Sequence, residues 1–219
     1  MFVQNCIDNS IPFLRLSDDV GYALELMQEY KTNSLAVVEN DILVGTVTES
    51  VLLECDEDLK IQTIEENLFQ YTLLEGTHLF DVLKKSTEYN TFYFAVINVE
   101  NEYLGLTTPQ KILETFIQFS SVTTTGGIIV LELETRNYSL TEISKIVESN
   151  NAMILQSTVA TSVNQHFVQV SLKINKNDLK DIQATFERYQ YNVISVIHQS
   201  EYEVQLKERF DSLMRYLEF

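Results

Sequence analysis

Two stretches of the chain, residues 11–54 and 69–115, share one pattern of apolar and polar positions. Each opens with a short apolar piece and continues as a helix whose apolar residues recur three and four positions apart. Two β-rich runs joined by an Asn/Asp/Glu turn follow, and a second helix begins after a Gly-x-x-Thr segment. The pattern predicts a repeat with the order β-α-β-β-α, once in about residues 1–60 and once in about residues 61–119.

The β-rich runs of the two copies are LAVVENDILVGTVT and FAVINVENEYLGLTT. The first ends in Gly45 to Thr48 and the second in Gly105 to Thr108. Pro109 suits the first position of a helix, because the missing N–H would have no partner there. We therefore predict that the last helix of the second copy begins at this point of the chain.

The second half of the chain has a different pattern. Residues 120–127, SSVTTTGG, are rich in hydroxyl side chains and end in two glycines, which predicts a linker. Residues 128–198 then read as strand, helix, two strands, helix and strand, and Ser139-x-x-Glu142 is a capping-box signature that opens the first of these helices. This order predicts a ferredoxin-like βαββαβ domain and places the whole chain in the α+β class.

Residues 199–219 predict an amphipathic C-terminal helix. Its apolar residues recur at intervals of four, three and four, at Leu206, Phe210, Leu213 and Leu217. Such a stripe needs a partner surface, so we expect it to be buried within the fold or across a homodimer.

Charge and cysteine content narrow the class of protein. The chain has 32 acidic and 15 basic residues, a net charge of −17, and so negative a surface repels nucleic-acid backbones and anionic membranes. Cys6 and Cys55 have no metal or redox spacing, which favours two free thiols in a reducing compartment over a disulfide. The first ten residues have no basic or apolar run typical of a secretory signal. We expect a cytoplasmic protein with neither nucleic-acid nor membrane partners.

The sequence lacks the signatures of catalysis. It contains no His-Glu-x-x-His, Cys-x-x-Cys or Gly-x-Ser-x-Gly motif, and no glycine-rich phosphate loop. The histidines, His78, His166 and His198, are scattered singly and are expected to be structural or surface residues. We therefore expect a protein that is not an enzyme and has no catalytic residues, metal or cofactor.

Residues 1–119 resemble a CBS-domain pair. The resemblance lies in the first helix, the AVV or AVI strand, the acidic turn and the Gly-x-x-Thr segment, which recur in the family's order. Residues 128–198 resemble an ACT domain in topology and pattern, and the whole arrangement is similar to bacterial CBS-ACT proteins of the acetoin-utilisation type. The resemblance implies a flat CBS module that has clefts between its repeats, often binds adenosine-containing ligands and regulates a partner.

The same resemblance implies nucleotide-binding positions. The family's ribose contact is an Asp three residues after the motif's Thr, and this sequence has Val51 and Lys111 there. Thr48 and Thr108 carry over as phosphate-side contacts, although each could instead be the N-cap of its helix. Lys111 could pair with a phosphate or be solvated.

The ACT-like half implies an amino-acid site in the loop after its first strand. The family's loop usually carries an Asp-x-Pro-Gly-like turn, whereas residues 134–139 here have neither Pro nor Gly. Arg136 or Asn137 could bind a carboxylate through its side chain, and the alternative is a plain turn that ends in a helix cap.

Two functional hypotheses follow, beside a third, an enzyme without a recognisable signature, which the absence of catalytic motifs disfavours. In the first, the chain is a non-catalytic regulatory protein that senses a small molecule, an adenine nucleotide in the CBS cleft or an amino acid, and modulates an unknown protein partner. In the second, it is a dimerisation or scaffold module whose CBS and ACT sites are degenerate and bind no ligand.

Overall fold

The computed structural model describes residues 1–161 and 166–198. The chain divides into two compact units, Met1–Phe119 and Ser120–Phe219. Both units contain helices and strands, which confirms the α+β class. The amphipathic helix predicted for residues 199–219, with its stripe of Leu206, Phe210, Leu213 and Leu217, lies outside the described residues.

The first unit contains two copies of a similar set of elements. The first copy comprises β1 (Ile7–Asp8), α1 (Val20–Tyr30), β2 (Ser34–Glu39), β3 (Ile42–Thr48) and α2 (Glu49–Leu52). The second comprises β4 (Thr72–Leu74), α3 (Leu79–Tyr89), β5 (Ala95–Ile97), β6 (Tyr103–Thr107) and α4 (Pro109–Phe119). Short 3-10 helices cover Val3–Cys6 and Ile61–Asn67.

The opening strand differs between the two copies. In the second copy β4 pairs in parallel with β5, inside a sheet of order β1-β6-β5-β4. In the first copy the short apolar piece that opens the repeat, residues 11–16, is the predicted first strand. It makes one parallel bridge, between Leu14 and Val37, beside the β2-β3 hairpin. Pro12 has no N–H to offer, and the N–H of Arg15 binds the Asp18 carboxylate at 2.7 Å instead of a strand.

The segment that precedes the first helix of each copy pairs with the hairpin of the other copy. Strand β1 of the first copy pairs with β6, and the residues just before β4 pair with β3. A side chain at Gly105, whose φ is +147°, would overlap Ile7, and one at Gly45 would place its Cβ 2.8 Å from the Cβ of Leu68. The glycines of the two Gly-x-x-Thr segments therefore allow this exchange, because only glycine leaves the necessary space.

Apolar side chains of the two copies form the core of the first unit. The face predicted for the first helix comprises Val20, Ala23, Leu24 and Met27, of which Leu24 is half-buried and the other three are buried. Val3 and Cys6, from the 3-10 helix at the start of the chain, pack in the core of the second copy. The buried members of that core are Val3, Cys6, Leu73, Leu79, Val82, Phe94, Val96 and Ile112. The predicted thiols of Cys6 and Cys55 are both free, and burial raises the pKa of Cys6.

Tyr103 brings a polar group into an apolar cluster of this unit. Its ring meets the edge of Phe13 at 5.8 Å, and its hydroxyl is buried without a hydrogen-bond partner among the described residues. Burial alone raises the pKa of Tyr103 far above its usual range. In the unfolded chain this hydroxyl is solvated, so folding loses its bonds to water.

We expect Tyr103→Phe to raise the free energy of unfolding by about 1 kcal/mol near neutral pH, because the substitution removes an unpaired buried hydroxyl. Above about pH 10 the unfolded tyrosine ionises while the folded one stays protonated, so the wild type loses stability as pH rises. The Tyr103→Phe variant should lose less stability over the same rise in pH. Urea unfolding across this range, with Tyr22→Phe at an exposed position as control, measures both effects. A variant less stable than the wild type at pH 7 would contradict the prediction.

The second unit has one sheet and two helices. Its elements are β7 (Gly127–Glu134), α5 (Leu140–Ser149), β8 (Ile154–Thr161), β9 (Phe167–Ile174), α6 (Lys180–Arg188) and β10 (Asn192–Ile197). The strand order is β10-β7-β9-β8 with antiparallel neighbours, and the element order is the one that the sequence predicts. Ser139 accepts a hydrogen bond from the N–H of Glu142 at 3.3 Å, as expected of the capping signature.

The segment predicted as a linker, residues 120–127, is held by hydrogen bonds of the second unit. It contains a 3-10 helix at Ser121–Thr123, and the Ser121 hydroxyl donates to the carbonyl of Leu155 at 3.1 Å. Gly127 already belongs to β7, and its N–H donates to the carbonyl of Lys176 at 2.7 Å. The backbone at the end of this segment is therefore held by the sheet of the second unit.

Two further findings concern the described part of the chain. None of its helices combines the length and the apolar character needed to cross a membrane. Nor do its His, Cys, Asp and Glu side chains form any group of three or more that could hold a metal ion.

Candidate ligand-binding cleft

A cleft in the first unit contains Thr48, one of the residues that the sequence singles out. Its volume is about 230 Å³. The lining comes from both copies of the repeat: Asn33, Thr48, Glu49, Ser50, Tyr71, Tyr89, Asn90 and Thr91. A cleft built in this way brings together side chains that are far apart in the sequence.

The wall from the first copy is fixed by the junction of β2, β3 and α2. Ser34 pairs with Thr48 across the hairpin, and the carbonyl of Asn33 accepts the N–H of Glu49 at 2.9 Å. The hydroxyls of Thr48 and Ser50 lie 2.9 Å apart and share a hydrogen bond. This wall therefore presents an amide, two hydroxyls and one carboxylate to the cleft.

The wall from the second copy is fixed where α3 ends. Asn90 adopts a left-handed conformation, with a φ of 51°, and its N–H donates to the carbonyl of Ser86. The Thr91 hydroxyl accepts the N–H of Tyr93 at 3.2 Å. Because the chain turns here by backbone hydrogen bonds, Tyr89 in the last turn of α3 is held at the cleft.

Tyr71 reaches the cleft because the second copy is paired with β3 just before it. The N–H and hydroxyl of Thr46 both donate to the carbonyl of Phe69, at 2.9 and 3.1 Å. The rings of Phe69 and Tyr71 are stacked with centroids 4.9 Å apart, and Tyr71 lies 5.5 Å from the ring of Tyr89. An aromatic group thus forms one side of a cleft whose other side is polar, an arrangement that suits a planar ligand with polar edges.

The first predicted site residue, Thr48, lies in the cleft, whereas Val51 contributes to the core. Thr48 occupies the N-cap position of α2 but makes no side-chain capping bond, since its hydroxyl bonds to Ser50. Val51 is half-buried against the apolar core of the first copy. The position at which the family places its ribose-binding Asp therefore has a packing role in this chain.

Thr108 and Lys111 lie together at the start of α4 and are not among the residues that line this cleft. The Thr108 hydroxyl accepts the N–H of Lys111 at 3.2 Å, so it caps the helix. The Lys111 ammonium pairs with Glu114 at 2.9 Å, and this hydrogen bond and charge raise the pKa of Lys111. The Glu114 carboxylate also accepts from Gln110, which is the main reason that its pKa is lowered. A phosphate at Lys111 would have to compete with this carboxylate.

We expect Thr108→Ala to lower the free energy of unfolding by about 1 kcal/mol without any ligand, because it removes the cap of α4. Thr108→Ser keeps the hydroxyl and should retain most of that stability. Urea unfolding of the ligand-free variants measures the difference. Equal stability of the alanine and wild-type proteins would show that the hydroxyl is not a cap.

The two residues predicted for an amino-acid site lie in the 3-10 helix Thr135–Asn137 of the second unit. Arg136 lines a groove with His166 and pairs with Glu134 at 2.6 Å. Asn137 lines a second groove, which shares Glu134 with the first. A carboxylate ligand would therefore have to displace Glu134 from the guanidinium group.

Most residues of the cleft have no signature in the sequence. Tyr71, Tyr89 and Asn90 could not be assigned to a site in advance, because no local motif connects them with Thr48. The repeat offers one signal, because a threonine follows the end of the first helix in each copy, at Lys31-Thr32 and Asn90-Thr91. In the structure Lys31 and Asn90 both have a left-handed backbone conformation. Such a recurrence marks structural equivalence and does not by itself indicate a ligand.

The match to a known protein family concerns the first unit. The family model of the CBS domain matches residues 3–58, which confirms the resemblance for the first copy of the repeat. No curated protein matches the chain. The assignment of the second unit to the ACT type stays a prediction.

Several solved structures are similar to about half of the chain. A CBS domain pair/ACT domain protein from Thermotoga maritima is 22% identical, with 54% of this chain and 98% of that chain covered and a TM-score of 0.48. The CBS domains of a transcriptional regulator from Streptococcus pneumoniae are 18% identical, with 52% and 98% covered and a TM-score of 0.47. CBSX2, a CBS-pair protein of Arabidopsis thaliana, in complex with AMP is 21% identical, with 54% and 97% covered and a TM-score of 0.45. Likenesses at this level carry no conclusion about the ligand of this chain.

Proposed function

We propose that residues 1–119 form a tandem CBS-type pair that binds a small molecule in the cleft at Thr48 and regulates a protein partner. The observation that carries the proposal is the composition of this cleft, whose lining comes from both copies of the repeat. A ligand that contacts both walls makes a set of contacts that depends on how the two copies pack against each other. It can therefore shift the unit between two packings if it binds one of them more tightly.

The lining supports a ligand with a flat ring and polar edges. Tyr71 and Tyr89 offer aromatic surface, and Asn33 and Asn90 offer amides that both donate and accept hydrogen bonds. The CBS match of residues 3–58 adds support for an adenosine-containing ligand, because the resemblance implies that ligand class. We propose a non-catalytic role, since neither the matched family nor any sequence motif supplies a catalytic group. The two free cysteines support a location in the cytoplasm.

For the second unit we propose an ACT-like role in assembly or in sensing an amino acid. Its β-α-β-β-α-β order and its sheet support the ACT-like assignment. Arg136 and Asn137 are the candidate contacts for a carboxylate, with Glu134 as the competing anion. A homodimer is the form that we propose for the protein, because the sequence-predicted stripe of residues 199–219 calls for a partner surface.

A second candidate function, a scaffold or dimerisation module that binds no ligand, is favoured by one observation. The two positions at which the family contacts ribose carry Val51, which packs in the core, and Lys111, which is paired with Glu114. Neither side chain can accept a hydrogen bond from a sugar hydroxyl.

Ligand binding to the full chain separates these two functions. We expect adenosine or one of its phosphates, at about millimolar concentration, to raise the melting temperature by mass action. Tyr89→Ala should weaken this binding about tenfold, because it removes one ring of the aromatic side. Tyr22→Ala, which removes a tyrosine at an exposed position outside the lining, is the matched control. If adenosine, AMP, ADP, ATP, S-adenosylmethionine, NAD and the amino acids all leave the melting temperature unchanged, the scaffold function replaces the proposed one.

A further inference from the structure

We infer that the cleft at Thr48 selects an uncharged nucleoside and discriminates against the phosphorylated forms of the same nucleoside. The inference rests on the proposed function and specifies its ligand. It follows from four features: the charge of the lining, the chemistry of its polar groups, the position of Lys111, which the sequence suggests as a phosphate contact, and the size of the cleft.

The charge of the lining is negative. Among its eight residues, all within the described part of the chain, Glu49 is charged and there is no lysine or arginine. The surrounding unit amplifies this sign, because residues 1–119 contain 20 acidic and 6 basic residues, a formal charge of −14. A phosphate monoester carries between one and two negative charges at neutral pH. It would enter a region of negative potential with no cation in the lining to pair with it.

The polar groups of the lining suit an uncharged ligand instead. Amides at Asn33 and Asn90 and hydroxyls at Thr48, Ser50 and Thr91 each can donate and accept hydrogen bonds. The Glu49 carboxylate only accepts, so it favours a ligand N–H or O–H over an oxyanion. A nucleoside presents both kinds of group on its base and its ribose, whereas a phosphate presents acceptors alone when fully ionised.

The cation that the sequence suggested for a phosphate is engaged elsewhere. Lys111 lies at the start of α4, outside the lining, and its ammonium is 2.9 Å from a carboxylate oxygen of Glu114. The carboxylate of Asp8 adds to the negative field at this lysine. Lys111 therefore does not offset the charge of Glu49 in the cleft.

The size of the cleft limits how much of a ligand it can enclose. Its volume of about 230 Å³ lies below the roughly 300–1,000 Å³ of pockets that bury a whole drug-sized ligand. The cleft can therefore enclose a base and part of a sugar, with the ring against Tyr71 and Tyr89. A phosphate group on that sugar would stay at the rim, where Glu49 and the acidic surface of the unit act on it.

Calorimetric titration of the full chain with adenosine and with AMP tests the inference. At low ionic strength we expect adenosine to bind about tenfold more tightly than AMP, because repulsion by a few nearby charges is of that order. Added salt should narrow the difference by strengthening AMP binding, while adenosine binding stays constant. Binding of AMP as tight as that of adenosine at low ionic strength would overturn the inference.

Two charge-neutralising variants locate the effect. Glu49→Gln should strengthen AMP binding several-fold and leave adenosine binding within twofold. Glu75→Gln makes the same change of net charge at an exposed residue outside the lining and should alter neither. Equal effects of the two variants on AMP would overturn the assignment of selectivity to the cleft.

The outcomes also separate this inference from the proposed function. If both ligands bind equally and Tyr89→Ala weakens both, the proposed function stands and the selectivity fails. If neither adenosine nor AMP binds, or if Tyr89→Ala leaves their binding unchanged, both the selectivity and the assignment of this cleft fail.

Discussion

Phe94→Ala is expected to lower the free energy of unfolding of the first unit by about 3–5 kcal/mol, the range for removing a large aromatic side chain from a packed core. Phe94 is fully buried, and its neighbours in the core include Leu73, Val82 and Ile112. Its ring also meets the edge of Tyr89 at 6.4 Å. The cavity left by the substitution would therefore weaken both the core and the support of the aromatic side of the cleft.

Phe92→Ala provides a matched control for this prediction. Phe92 lies two residues earlier and is 43% exposed, so the same truncation should cost less than about 1 kcal/mol there. Urea unfolding followed by hydrogen exchange and mass spectrometry can assign the loss of protection to residues 1–119. Similar unfolding midpoints for the two variants would contradict the buried position of Phe94.

Gly126→Ala is expected to destabilise the second unit strongly. Gly126 has a φ of +152°, a conformation that costs a residue with a side chain roughly 1–3 kcal/mol. A Cβ here would in addition overlap the backbone carbonyl of Ile174, which cannot rotate aside as a side chain could. The start of β7 would have to move away from the end of β9, so several hydrogen bonds of the sheet would be lost with it.

Gly76→Ala is the control for Gly126→Ala. A Cβ at Gly76 would meet nothing within 4 Å, so this substitution should change the free energy of unfolding by less than about 1 kcal/mol. Hydrogen exchange of peptides that cover residues 167–176 reports on the sheet of the second unit. If Gly126→Ala leaves the protection of these residues at the wild-type level, the close approach at Ile174 is not as described.

Elements with a clear period were predictable from the sequence, whereas those set by distant contacts were not. The faces of α1 and α5 and the alternation of β9 follow from side chains that recur at the helical or strand spacing. Strand β1 has only two residues, Ile7 and Asp8, which are too few to show a period. The SSVTTTGG segment has the composition of a linker, yet its conformation is imposed by backbone groups of β9 and the residues after it.

The candidate site was predictable only at the residues of the Gly-x-x-Thr segments. Thr48 was identified by its position in the motif. Tyr71 reaches the same cleft through the pairing of Phe69 with β3, and Tyr89 reaches it from the end of α3. Lys111 shows the opposite case, because its partner Glu114 is close in sequence but a salt bridge cannot be inferred from spacing alone. The identity of a residue thus indicated its chemistry, while its neighbours decided whether that chemistry is accessible.

The exchange of opening segments between the two copies has a consequence for dividing the chain. Val3 and Cys6 lie in the core of the second copy, and the Thr115 hydroxyl donates to the carbonyl of Asn5 at 2.9 Å. The segment that matches the CBS domain, residues 3–58, therefore has part of its packing in the second copy and is not expected to fold alone. Two polypeptides separated between the copies would each lack part of their packing when made alone. Produced together, they should recover a native unit by fragment complementation, since each supplies a segment that pairs with the other.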